Sequence, residues 1–179
     1  AADEMNRAQS STKAERASGE ARVRLLLADV TRAEDCAAVV HEAVAQFGRL
    51  DILVNNAGRG TKYVSDTFMT EPTRFWKVPD TWRMVIDTNV NGPFLMACAA
   101  VPAMLETGGG RIGNIQARET MRRRGFSPYG PSKAALESET AIWAQDLADR
   151  GITVNALLPG GGKRPVTAYL KRAGSSTAA

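Results

Sequence analysis

Residues 129–133 read YGPSK, a phenol and a primary amine four positions apart. Four residues are about one helical turn, so both side chains fall on the same face of any helix that contains them. A phenol beside an ammonium suits general acid or base chemistry, while the same pentapeptide also makes an ordinary helix opening with proline in its first turn. The spacing alone leaves both readings open. A second stretch, Asn55-Asn56-Ala57-Gly58, also has chemical sense. Its small residues let the backbone approach a flat ligand, and its asparagine side chains can tie neighbouring strand ends together. A plain strand-to-loop turn is the other reading of those four residues.

Hydrophobic periodicity supplies the elements that must position them. VRLLLADV at 23–30 is a continuous apolar run, expected of a strand buried on both faces. Thr31 is an expected N-cap, and Glu34 completes a capping-box pattern. The helix that follows places Val40, Val44 and Phe47 on one face and ends at Gly48. Residues 50–58 give a second strand running into the Asn-Asn-Ala-Gly turn. Residues 59–79 have no sustained period and contain two prolines, and read as a long loop with at most one short turn. A helix is expected from Asp80 to about Leu105, interrupted in propensity at Asn89, Asn91, Gly92 and Pro93. A third strand covers 108–115, a helix runs from Pro131 in its first turn to Gly151, and a fourth strand covers 152–161. This alternation predicts an α/β protein with a parallel sheet and right-handed crossovers. Ligands of such sheets bind at the carboxyl ends of the strands. Asp29, Asn55 to Gly58, and Pro159-Gly160 stand at those ends.

At 179 residues the chain fits one domain, taken as 23–165, with a poorly defined segment at 1–22 and a frayed tail at 166–179. Hydrophobic residues make up 44% and charged residues 23%, ordinary globular usage. No apolar run reaches the length of a membrane span, and the polar N-terminus lacks the apolar centre of a secretory signal. Cys36 and Cys98 show no metal-ligand spacing, so the expectation is a reduced, cytoplasmic protein without a metal site. The net charge is +4, and its densest cluster is Arg122-Arg123-Arg124, read as a solvated loop. With no zinc-finger spacing, RNP-like motif or basic helix-turn-helix, no nucleic-acid partner is expected.

Taken in order, ADVT at 28–31, GRLDILVNNAG at 48–58, NVNGPF at 89–94, GRIGNI at 110–115, YGPSK at 129–133 and GITVNALLPGG at 151–161 resemble the short-chain dehydrogenase/reductase family of nicotinamide-dependent oxidoreductases. The resemblance covers about residues 23 to 165. It implies a Rossmann-like, doubly wound parallel sheet, NAD or NADP as cofactor, and a small-molecule alcohol or carbonyl substrate. It also implies a homo-oligomer, dimer or tetramer, formed through the helices at 80–105 and 131–150. By resemblance, Asp29 contacts the adenine ring with Val30 beside it in the cofactor site. Asn55, Ala57 and Gly58 shape the floor under the adenosine half, and Pro159 and Gly160 line the nicotinamide pocket. Asn89 resembles the family's active-site asparagine, whose exposed carbonyl holds a relay water. Tyr129 would be the general acid in carbonyl reduction and the base in the reverse direction. Lys133 would lower the tyrosine pKa and bind the nicotinamide ribose. A cation about 4 Å away at an effective dielectric near 20 is worth about 4 kcal/mol, or about three pKa units. The aromatic loop residues Tyr63, Phe68, Phe75 and Trp76 are expected either to help form the substrate site or to pin the loop to the core.

Two departures stand against that pattern. Where the family has a serine or threonine after its third strand here, this chain has Gln116 and Ala117, of which Gln116 can donate through its amide. Losing one donor to a developing oxyanion typically costs about 10² to 10³ in rate. Gly19 is the only glycine before residue 48, so no glycine-rich loop opens a helix to cradle a pyrophosphate. The expectation is a sheet incomplete at its N-terminus, short of about one βαβ unit of 30 or more residues. The alternative to an enzyme is therefore a catalytically inactive relative acting as an interaction or scaffold protein, or a non-functional piece of a longer reductase.

Overall fold

Three parallel strands, β1 (Ile52–Asn55), β2 (Gly110–Ile115) and β3 (Ile152–Leu157), form one sheet in the order β1-β2-β3. They belong to a computed structural model that describes residues 23–159 apart from 68–69, 119–120 and 122–123. The register sets Asn55 against Asn114 and Ile115 against Leu157. Among the described residues four helices accompany the strands: α1 (Ala33–Phe47), α2 (Pro79–Ile86), α3 (Gly92–Glu106) and α4 (Tyr129–Asp146). A π-helical turn, Asp87–Asn91, joins α2 to α3. Among the described residues this is part of a Rossmann-like α/β fold, with the parallel order that strand–helix alternation predicts.

The core lies between the sheet and the helices. Leu53, Ile112, Ile152 and Val154 from the strands meet Val40 of α1 and Ala97, Ala100 and Met104 of α3. Side chains alternate along a strand, so the neighbours of these residues point the other way. On that opposite face Ile52, Val54 and Leu157 are exposed, and Leu157 leans over Gly113, where an added Cβ would lie 2.7 Å from Leu157 Cδ1.

Several local expectations are corrected. Residues 23–28 are not a strand: a strand needs a neighbour's N–H and C=O groups, and none of the described strands pairs with them. Val23, Leu25 and Leu26 are exposed, and Leu27 is 92% exposed. Thr31 is not the N-cap. Asp29 Oδ1 takes both its N–H and its hydroxyl, at 2.9 and 2.8 Å, so α1 opens one residue later with Arg32 as a cap without a side-chain bond. Phe47 is exposed rather than part of the buried face, which is carried by Cys36 and Val40. Gly48 does end α1, in the left-handed conformation at φ 80° with its N–H on Val44 O. The loop at 59–79 holds two short 3₁₀ turns, Thr61–Tyr63 and Phe75–Lys77, where one was expected. Pro79–Glu106 forms a near-continuous 28-residue helical stretch whose apolar window has a mean hydropathy of 1.2, enough by length and composition to cross a membrane. Its C-terminal half instead carries core residues packed on β1 and β2, and its middle buries an asparagine.

Candidate active site

The carboxyl ends of β1 and β2 are joined by side chains. Asn55 Nδ2 donates to Asn114 Oδ1 at 2.8 Å, Asn114 Nδ2 donates to Thr140 Oγ1 at 2.9 Å, and Thr140 Oγ1 donates to Leu136 O at 2.6 Å. All three residues are buried. In a dry setting such bonds are directional and costly to break, so this row fixes the two strand ends to the middle of α4. The tie from Asn55 to a neighbouring strand is the one its side chain suggested. Thr140 was missed, and Asn114 carried a signal that went unread, a lone amide in an otherwise apolar strand.

The π-helical turn sets Asn89, which is fully buried, against the loop after β1. Its Oδ1 accepts the Arg59 N–H at 2.7 Å, and its Nδ2 donates to Arg59 O and to Ser132 Oγ, each at 3.0 Å. Ser132 Oγ in turn donates to Tyr129 O at 2.7 Å. Gly58 is needed here, because a Cβ would stand 3.2 Å from Asn89 Oδ1. Gly92 is needed likewise, since a Cβ would meet Val30 Cγ2 at 2.8 Å. Val30 thus seats against the end of the π turn. The Arg59 guanidinium is held by Thr88 Oγ1 at 3.1 Å and lies over the Tyr63 ring.

Tyr129 opens α4 and Lys133 follows one turn later, where its ammonium reaches the end of β2. Lys133 is buried, its Nζ donates to Ile115 O at 2.5 Å, and burial lowers its pKa to about 8. Tyr129 is half-buried, and loss of hydration raises its phenol above the usual tyrosine range. The expectation that Lys133 lowers the tyrosine pKa is therefore corrected for this arrangement: the ammonium is turned to a backbone carbonyl, and desolvation governs the phenol. Asp29 is exposed and acidified chiefly by the Thr31 N–H and then the Thr31 hydroxyl, with Arg32 and Arg59 assisting. Ala57 and Pro159 are exposed at the ends of their strands, and Gly160 lies outside the described residues.

Gln116 does not replace the absent serine. Its side chain is buried, and its amide donates to Lys133 O and accepts from the Glu137 N–H, both at 3.0 Å. One of its amide N–H groups and its amide oxygen are thus committed to α4, and the Ala117 side chain carries no donor. The loop aromatics divide as well. Phe75 and Trp76 meet edge to face at 5.2 Å and, with Val78, Pro79 and Trp82, line a cavity of about 550 Å³ to which neither Tyr129 nor Lys133 contributes. Tyr63 packs under Arg59 and Lys62, and Phe68 lies outside the described residues.

A dinucleotide fits what is present in part. Gly58 leaves open the space a side chain would fill beside Asn89, and Asp29 is kept ionised at the rim. The glycine-rich helix opening that would cradle a pyrophosphate is not found in the sequence before residue 48.

Fold and site together define a Rossmann-like α/β protein with its polar groups gathered at the strand ends. The sequence profile described as short chain dehydrogenase matches residues 1–173, and the chain belongs to that family. It is 37% identical over 147 residues to trans-4-hydroxycyclohexanecarboxylate dehydrogenase of Sinomonas cyclohexanicum, covering 80% of this chain and 52% of that protein. It is 37% identical to 3-oxoacyl-(acyl-carrier-protein) reductase of Staphylococcus aureus, covering 74% of this chain and 51% of the relative. A crystal structure from Burkholderia xenovorans, described as a short-chain dehydrogenase/reductase, superposes with a TM-score of 0.68 at 29% identity, over 90% of this chain and 61% of that one. The chain spans about half the length of the curated relatives it matches.

Proposed function

We propose that this chain carries the catalytic half of an NAD- or NADP-dependent oxidoreductase that interconverts a small-molecule alcohol and carbonyl. The single observation that supports it best is the linkage of Asn89 through Ser132 to the Tyr129 backbone carbonyl, one helical turn from Lys133, whose ammonium bonds Ile115 O at the end of β2. A nicotinamide bound there would supply or take up a hydride. Tyr129 gives the carbonyl oxygen its proton in reduction; burial raises the phenol pKa, so it is protonated at neutral pH but is a weaker acid than an ordinary tyrosine. Lys133, with a pKa of about 8, exchanges protons near physiological pH and lies one turn from the phenol. The Asn89 turn holds the loop beneath the cofactor, with Asp29, Val30, Asn55, Ala57 and Gly58 along the adenosine half and Pro159 and Gly160 by the nicotinamide. The absence of a hydroxyl at residues 116 and 117 leaves Tyr129 as the side-chain donor to the substrate oxygen and predicts slow turnover, about 10² to 10³ below a site with the extra donor. Self-association is part of the reading. An apolar cavity of about 390 Å³ lined by Phe94, Cys98, Val101 and Trp143 lies on α3 and α4 and offers a second copy a surface.

The second reading, a catalytically silent interaction protein, draws on Gln116 being tied to α4. Titrating the chain with NADH and NADPH while following tryptophan fluorescence separates the two. Saturable binding of either nucleotide supports the oxidoreductase, and no change with both sends the assignment to the scaffold.

A further inference from the structure

Ser132 takes no part in the chemistry described above, yet it is fully buried and its hydroxyl is used in both directions. It accepts from Asn89 Nδ2 at 3.0 Å and donates to Tyr129 O at 2.7 Å. Asn89 grips both the N–H and the carbonyl of Arg59 with the rest of its amide, at 2.7 and 3.0 Å. A continuous path thus runs from the turn after β1, through the π-helical turn, to the backbone of the first turn of α4. Gly58 and Gly92 keep this path tight, since a Cβ at either would press on Asn89 or Val30. We infer that Ser132 is a positioning residue, the joint that sets the first turn of α4, with Tyr129 and Lys133, against the Gly58–Arg59 turn.

The physical basis is the dryness and directionality of the joint. Alanine at 132 leaves Asn89 Nδ2 with Arg59 O alone, in a buried setting, and removes the hydroxyl from Tyr129 O. The amide of Asn89 is then held by Arg59 alone, and the acceptor that its Oδ1 gives the Arg59 N–H is less firmly fixed. Catalysis by an oriented proton donor is sensitive to displacements of about 1 Å. The consequence for turnover rests on the oxidoreductase reading, whereas the joint itself rests on geometry alone.

The experiment is amide hydrogen exchange on the full chain and on its Ser132→Ala and Ser132→Thr variants. In Ser132→Ala the Arg59 amide exchanges about tenfold faster, the scale set by one lost buried hydrogen bond, while Ile112 and Gly113 in β2 keep their rates. Threonine retains the hydroxyl and restores the Arg59 rate. The inference is overturned by an Arg59 rate unchanged within about twofold in the alanine variant. It is equally overturned by acceleration that Ile112 shares, or by a threonine variant as fast as alanine. Turnover adds a second reading from the same proteins. A joint lowers kcat about tenfold in Ser132→Ala while the KM for nucleotide moves less than about threefold, and a raised KM with unchanged kcat contradicts it. A wild-type chain without turnover counts against the oxidoreductase, and the exchange rates still decide the fate of Ser132.

Discussion

One face of the sheet carries Leu53, Ile112, Ile152 and Val154, none more than 8% exposed, and the other carries Ile52, Val54 and Leu157 at 57%, 52% and 43%. The residue types are nearly the same on both faces, so hydrophobicity does not distinguish them. The difference is cover: α1, α3 and α4 bring Val40, Ala97, Ala100, Met104 and Trp143 to the first face. An apolar run in a parallel strand states only that both faces want cover, and the described residues supply it to one. The polar chemistry follows the covered side. Asn114, Thr140, Asn89 and Ser132 are all buried, where each bond is shielded from water and each loss is costly.

The sharpest test of that contrast is Ile112→Ala, which opens a cavity on the covered face and costs about 2–5 kcal/mol by urea unfolding. A cost under about 1 kcal/mol would mean that this core is not packed as described. Next comes Asn114→Ala, which strips a partner from Asn55 and from Thr140 and costs about 1–3 kcal/mol. The expected signature is a loss of protection at the ends of β1 and β2 as well as in the middle of α4. Lys133→Met runs the other way. The amine has an ordinary pKa of 10.5 unfolded and about 8 folded, so the unfolded chain binds the extra proton between those values. Its burial penalty is therefore complete below about pH 8 and relieved as pH rises towards 10.5. The methionine variant is more stable at pH 7 by about 1–2 kcal/mol, after allowing for the Ile115 carbonyl left without its donor, and loses that gain at high pH. It also loses turnover. The smallest effect belongs to the bare face, where Val54→Thr shifts stability by less than about 0.5 kcal/mol. A shift as large as that of Ile112→Ala would show that this face is covered in solution.

The order of elements was legible because periods of two and 3.6 residues need only local sequence, and so was Gly48, because a helix end in the left-handed region favours glycine. The strand expected at 23–30 failed on a property that no local pattern contains, the presence of a pairing neighbour. The asparagine pair Asn55 and Asn114 was half legible: the first stood in a turn with an evident purpose, the second only gained one from its register opposite. Tyr129 and Lys133 were recognisable only through the resemblance that the other motifs carry; their spacing gives no side-chain direction, and the ammonium faces Ile115 O. Ser132 and Gln116 were unreadable for the same reason. Ser132 looked like a filler inside a motif and Gln116 like a stand-in donor, whereas the first is defined by a partner 43 residues away and the second by partners on a different element.

The most direct test of the central claim is the nicotinamide-dependent reduction of a carbonyl compound by the purified chain, compared with its Tyr129→Phe variant. The account predicts slow but measurable turnover in the wild type, a loss of about 10² to 10⁴ in the phenylalanine variant, and unchanged nucleotide binding in both. Equal rates in the two proteins, or turnover in neither despite bound nucleotide, would contradict it.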